Sequence, residues 1–99
     1  MQLKCAKVSE IQPGSGKSVT VKGEEIALFN VNGTIYACAN TCVHQGGPLG
    51  EGFLEGKTVT CPWHGWKYDV STGACVQVQH ATVKTYAAKV EGDDIFLEM

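Results

Sequence analysis

Two short stretches, Cys42-Val43-His44-Gln45-Gly46 and Cys61-Pro62-Trp63-His64-Gly65, constrain this chain more than any other feature. Each offers one cysteine and one histidine, and sixteen residues separate His44 from Cys61, giving C-x-H-x16-C-x2-H. Two thiolates and two imidazoles make a four-donor set for a transition metal. Tetrahedral zinc accepts that set, but zinc fingers usually pair like ligands, C-x2-4-C and then H-x3-5-H. Here unlike ligands are paired. An iron–sulfur cluster also needs four ligands, and a third reading is two core cysteines and two loop histidines without a metal. Three histidines in 99 residues, with glycine close behind each loop, weigh against coincidence.

Five cysteines rule out a complete disulfide framework, because the number is odd. An all-cysteine cluster is no better served. Cys38, Cys42, Cys61 and Cys75 are separated by three, eighteen and thirteen residues, with no C-x2-C anywhere, whereas plant-type ferredoxins use C-x4-C-x2-C. Cys5, Cys38 and Cys75 each lie in an apolar, strand-like run, where a free cysteine packs as a small hydrophobe.

The rest of the chain reads as strands. Residues 2–8 alternate loosely, Ser9-Glu10-Ile11 is a turn, and Pro13-Gly14-Ser15-Gly16 is a loop by composition. Strands are expected over Lys17 to Val21 and Glu25 to Val31. Asn32-Gly33 then marks a hairpin into Thr34 to Ala39, which leads into the first loop. Leu49 to Phe53 is glycine-rich, Thr58-Val59-Thr60 enters Cys61, and Lys67 to Val70 leaves the second loop for a turn at Ser71-Thr72-Gly73. Val76 to Val83 is irregular, and a closing hairpin joins Thr85 to Val90 with Ile95 to Leu97 through Gly92-Asp93-Asp94. No window has sustained helical periodicity. Short strands at regular spacing indicate an all-β antiparallel sandwich or barrel, and 99 residues suit a single domain, 1–99.

Beyond the four donors, Gly46-Gly47-Pro48-Leu49, Cys61-Pro62-Trp63-His64-Gly65-Trp66-Lys67-Tyr68-Asp69 and the Thr72-Gly73 turn complete a resemblance to the Rieske-type ferredoxins and Rieske domains. About a third of the chain carries it. It implies an all-β Rieske-type fold with two cluster-binding hairpin loops, at 42–48 and 61–66. It also implies one [2Fe–2S] cluster, with Cys42 and Cys61 on one iron and His44 and His64 on the other. Gln45, Gly46, Pro48, Trp63, Gly65, Trp66 and Tyr68 are then the residues next to the cluster or on a docking face. Rieske proteins commonly cover the cluster with a third, proline-containing loop. The matching stretch here, Cys75 to Ala81, has no proline, and His80 within it has two readings, an approach to the cluster and, favoured, a solvent-exposed histidine without a role.

The ligand set has an electrostatic consequence. Two ferric ions, two sulfides and two thiolates sum to zero charge, whereas four thiolates leave two negative charges. Adding an electron is therefore easier, and the range is about −150 to +300 mV. High-potential members carry two bridging cysteines and a serine hydroxyl; this chain has Gly47, Trp63 and Trp66 at those places. The low end of the range is expected. Tyr68 retains a hydroxyl, and Trp63 and Trp66 also serve as apolar cover.

The implied function is a soluble one-electron carrier between an NAD(P)H-dependent flavoprotein reductase and a terminal oxygenase. The alternative within the resemblance is the small subunit of an NADH-dependent nitrite reductase, docking on its large subunit. The alternative from another class is a zinc-stabilised interaction module. After His44 and His64 are assigned, only His80 is left, so the 2-His-1-carboxylate site of an oxygenase cannot be built, and Gly14-Ser15-Gly16 lacks the context of a dinucleotide fingerprint. Eight lysines against ten acidic residues give a net charge of −2, no footprint for nucleic acid. No stretch has the length of a membrane span and the N-terminus lacks an apolar signal region; a cytoplasmic protein is expected.

Overall fold

The computed structural model describes residues 2–41, 48–62, 65–76 and 81–98. Among the described residues nine strands follow one another: β1 (Gln2–Lys7), β2 (Ser15–Val21), β3 (Glu24–Val31), β4 (Thr34–Ala39), β5 (Phe53–Glu55), β6 (Thr58–Thr60), β7 (Lys67–Asp69), β8 (Thr85–Glu91) and β9 (Asp94–Glu98). Short 3₁₀ turns occupy Val8–Glu10 and Leu49–Glu51. The strands form a six-stranded sheet, in the order β1-β9-β8-β4-β3-β2, and a three-stranded sheet, β5-β6-β7. All pairings are antiparallel. The all-β expectation holds.

The Asn32-Gly33 hairpin forms as its sequence requires. Asn32 has φ 51° and Gly33 φ 93°, the two positive values of a type I′ turn, whose twist matches the strands it joins. The Asn30 side chain locks that turn: its oxygen accepts the Gly33 N–H at 2.7 Å and its amide donates to the Ile11 carbonyl at 2.8 Å.

Two segments differ from the sequence reading. Ser15 and Gly16, read as loop, belong to β2, because β3 offers partners as far as Asn30 and Phe29. The glycine-rich stretch after Pro48 contains a 3₁₀ turn and then β5, three residues long. A strand that short has no alternation to detect; it exists because β6 presents an edge for Phe53, Leu54 and Glu55 to pair with.

Strand β3 divides the interior. Ala27 and Phe29 face one apolar cluster with Cys38, Leu49, Val59, Cys61, Tyr68, Val70, Cys75, Ala81 and Val83. Ile26 and Leu28 face the other, with Ala6, Ile11, Val21, Ile35, Ala37, Ile95 and Leu97. Burial on both faces explains why β3 reads as a nearly continuous apolar run. The first cluster joins the large sheet to the small one, where Val59 and Tyr68 are paired neighbours with no exposed surface. Cys38 and Cys75 are buried there, as expected of packing cysteines, and Cys5 is partly buried.

Candidate metal centre

The small sheet carries the second loop on the β6–β7 hairpin. Cys61 follows β6 directly and is 1% exposed. Its N–H donates to the Trp66 carbonyl at 2.7 Å, so residues 61 and 66 close the base of the loop. The Cys61 side chain joins the apolar cluster of Tyr68, Val59 and Leu49, and Trp66 packs half-buried against that cluster. Tyr68 is fully buried on the same side of the sheet. Pro62 and Gly65 lie at the surface.

The first loop is closed by a different device. Thr41 and Pro48 form an isolated antiparallel bridge, and the Leu49 N–H donates to the Asn40 carbonyl at 2.7 Å. Pro48 is half-buried, whereas Leu49 and Gly50 are buried. A third turn hangs from the same small sheet. Cys75 bridges Tyr68, Ala74 bridges Thr82, the Cys75 N–H donates to the Ala81 carbonyl at 2.8 Å, and the Val76 N–H donates to the Lys67 carbonyl at 2.7 Å. Three closed loop bases thus adjoin one apolar cluster. The readings for Cys42, His44, Gln45, Gly46, Gly47, Trp63, His64 and His80 lie outside the described residues.

The residues fit an iron–sulfur cluster in donor chemistry and in support. A buried cysteine just past a strand end, tied across its own loop, would offer a thiolate from a rigid element rather than a free one. Apolar surroundings raise the electrostatic weight of whatever donors surround a bound cluster. Sequence reasoning missed Asn40, whose side-chain oxygen accepts the Gly50 N–H at 2.7 Å and the Ser18 hydroxyl at 3.1 Å. Its place just before the loop is the sole signal in the sequence. It missed Leu49 as a buried core residue just after the first loop.

Burial also acts on one thiol nearby. Cys38, on β4 in the same apolar cluster, has its pKa pushed up to about 12 by desolvation. It is held as a neutral thiol. Asp69, at the end of β7, is held below the usual carboxylate range, chiefly by the Ser71 hydroxyl that donates to it.

Residues 1–87 match the family model of the Rieske [2Fe–2S] domain. The ferredoxin component of the naphthalene 1,2-dioxygenase system of Pseudomonas aeruginosa is 41% identical over 92 residues, covering 91% of this chain and 88% of that one. A chain in the solved complex of reduced oxygenase and oxidized ferredoxin in carbazole 1,9a-dioxygenase superposes with a TM-score of 0.88 at 28% identity, covering 97% of this chain and 91% of that one. The putative NADH-dependent nitrite reductase small subunit from Mycobacterium tuberculosis superposes with a TM-score of 0.90 at 22% identity, over 98% of this chain and 93% of that one. The last likeness is one of fold. Among the described residues, no helix is long and apolar enough to cross a membrane.

Proposed function

The chain belongs to the Rieske [2Fe–2S] domain family and carries one cluster of that type, and we propose that Cys42, His44, Cys61 and His64 hold it in a single domain, 1–99, that works as a one-electron carrier. The electron comes from an NAD(P)H-dependent flavoprotein reductase and goes to a terminal oxygenase. The observation that carries this reading is the 41% identity to a dioxygenase-system ferredoxin across nearly the whole of both chains. The nitrite reductase alternative rests on fold alone, and a zinc module does not agree with the family. The chain is the electron-transfer component of a multicomponent system rather than an enzyme. A carrier fed by NAD(P)H works where that dinucleotide is, in the cytoplasm.

When bound, the cluster supplies a one-electron couple. The chain's own task is to hold the donors still and to keep water from them. Rigid β4 and β6 deliver the two loops, the hydrogen-bonded loop bases resist opening, and Leu49, Tyr68 and Trp66 present an apolar floor. Ligands that move little on reduction keep the reorganisation cost of electron transfer small. The histidine edges at the loop tips are the exit for the electron, with Gln45, Gly46, Pro48 and Trp66 around them and Trp63 and Gly65 shaping the second loop. A carrier that meets two partners in turn needs a small contact, below about 1,200 Å² in total. Few charges lie in these loops, so docking depends on shape and apolar contact more than on steering by salt-sensitive fields.

The test is metal analysis with spectroscopy. The purified protein is expected to hold two irons and two sulfides, and its reduced form to give an EPR signal of lower average g than all-cysteine clusters give. Stoichiometric zinc without iron refutes the reading. Gln45→Glu and Pro48→Glu are expected to slow electron delivery to the cognate oxygenase while spectrum and midpoint stay unchanged; wild-type rates across a range of salt place the docking face elsewhere.

A further inference from the structure

Asn40 is 4% exposed and ends the path of β4 toward the first loop. Among the described residues, its hydrogen bonds tie the ends of that loop to each other and to the large sheet. Its N–H donates to the Glu25 carbonyl at 3.1 Å, and its carbonyl accepts the Leu49 N–H at 2.7 Å. Its side-chain oxygen accepts two hydrogen bonds, from the Gly50 N–H at 2.7 Å and from the Ser18 hydroxyl at 3.1 Å. One residue therefore fastens the two ends of the 41–48 loop to each other, to β2 and to β3. Gly50 belongs to the same node. A Cβ there would stand 2.5 Å from Ser18 Oγ, 2.9 Å from the Ser18 backbone nitrogen and 3.0 Å from Asn40 Oδ1. The three groups meet only because residue 50 has no side chain.

The chemistry of the node selects its occupant. Both incoming groups are donors, so the side chain at position 40 must present an oxygen able to accept twice. An alanine there would leave the buried Gly50 N–H without its acceptor, which is the costly way to lose a hydrogen bond. Thr41 and Pro48 would still bridge and the backbone bonds of residue 40 to Glu25 and Leu49 would remain, but the side-chain tie that joins Gly50 to Ser18 on β2 would be lost.

We infer that Asn40 is a positioning residue for the cluster, acting through the loop that carries Cys42 and His44; this rests on the proposed ligand set. It touches no metal. It sets where the loop's two donors sit relative to Cys61, which is anchored separately through the β6–β7 hairpin. Groups one step removed from metal ligands typically change metal affinity about 10–100-fold when removed.

The experiment compares iron release from the holoprotein into a chelator, with EPR of the reduced state, for wild type, Asn40→Ala, Asn40→Asp, Gly50→Ala and Cys42→Ala. Asn40→Ala is expected to release iron about 10–100-fold faster and to broaden the g values, while amide exchange in β1, β8 and β9 stays as in wild type. Asn40→Asp keeps an accepting oxygen and is expected to restore release close to wild type. Gly50→Ala keeps the oxygen but forces the node apart, and is expected to resemble Asn40→Ala. Wild-type release and spectrum in Asn40→Ala overturn the inference, as does an aspartate no better than alanine. Should Asn40→Ala not fold, Gly50→Ala decides in the same way. Loss of both irons in Cys42→Ala beside an unaffected Asn40→Ala refutes this inference alone, whereas irons retained in Cys42→Ala refute the ligand set beneath it.

Discussion

Replacing Gly52 with alanine is expected to destabilise the protein through its contact with β6, the strand that leads into Cys61. Gly52 follows the 3₁₀ turn with φ −78° and ψ 178°, a conformation alanine adopts freely, so backbone strain plays no part. The added Cβ would stand 2.2 Å from the Thr60 carbonyl oxygen and 3.1 Å from Val59 Cγ2. Ordinary contact begins at 3.4 Å, so β5 and β6 must separate by about 1.2 Å at this point. The edge strand β5 yields first, since it pairs on one side only. Overpacking of this kind costs about 1–3 kcal/mol, and the lost freedom of the unfolded glycine returns about 0.4–1 kcal/mol. The balance is a destabilisation of roughly 1.5 kcal/mol, or about 6–12 °C in the melting midpoint for a domain of this size. A thermal melt followed by circular dichroism and by cluster absorbance together is the assay, because Thr60 adjoins Cys61 and both signals should fall at the lowered temperature. Glu51→Ala, at an exposed neighbour, serves as the control. A Gly52→Ala melt within about 2 °C of wild type refutes the reasoning, since the contact would then have been relieved at no cost.

Trp66→Ser keeps the backbone carbonyl that receives the Cys61 N–H, so the loop base should persist while a hydroxyl is introduced; the midpoint is expected to rise, with about 59 mV marking a tenfold change. The wild-type midpoint is expected within about 100 mV of the low end of the Rieske range, and voltammetry giving a value well above zero contradicts that. Leu49→Ala removes a fully buried core side chain just after the first loop and should cost about 2–5 kcal/mol in a denaturant titration. Cys38, raised from the ordinary thiol value of 9.0 to about 12, contributes stability that is complete below pH 9.0 and is lost as pH rises toward 12; Cys38→Ala is expected to flatten that alkaline slope, and an unchanged slope would show another group responsible. Asp69 runs the other way: its depressed pKa gives stability present above the unfolded carboxylate value and lost as pH falls through the lower folded one, so Ser71→Ala should shift acid unfolding to higher pH.

The metal chemistry was legible in the sequence because ligand spacing is a local property. The proposed ligands Cys42, His44, Cys61 and His64 stand in two short loops, and Asn32-Gly33 announces its hairpin, since each pattern needs residues only a few positions apart. The strands β3, β4, β8 and β9 were legible for a similar reason, as their apolar pattern spans several residues. What joins distant positions was not. Strand β5 has three residues and no pattern of its own; it forms because β6 offers an edge. The placement of Tyr68 with no exposed surface against Val59 and Cys75 depends on the order of the small sheet. Asn40, Ser18 and Gly50 are unremarkable in the sequence, twenty-two and ten residues apart. Only the tertiary structure brings them within hydrogen-bond distance, because a buried donor must find its acceptor wherever the fold places one.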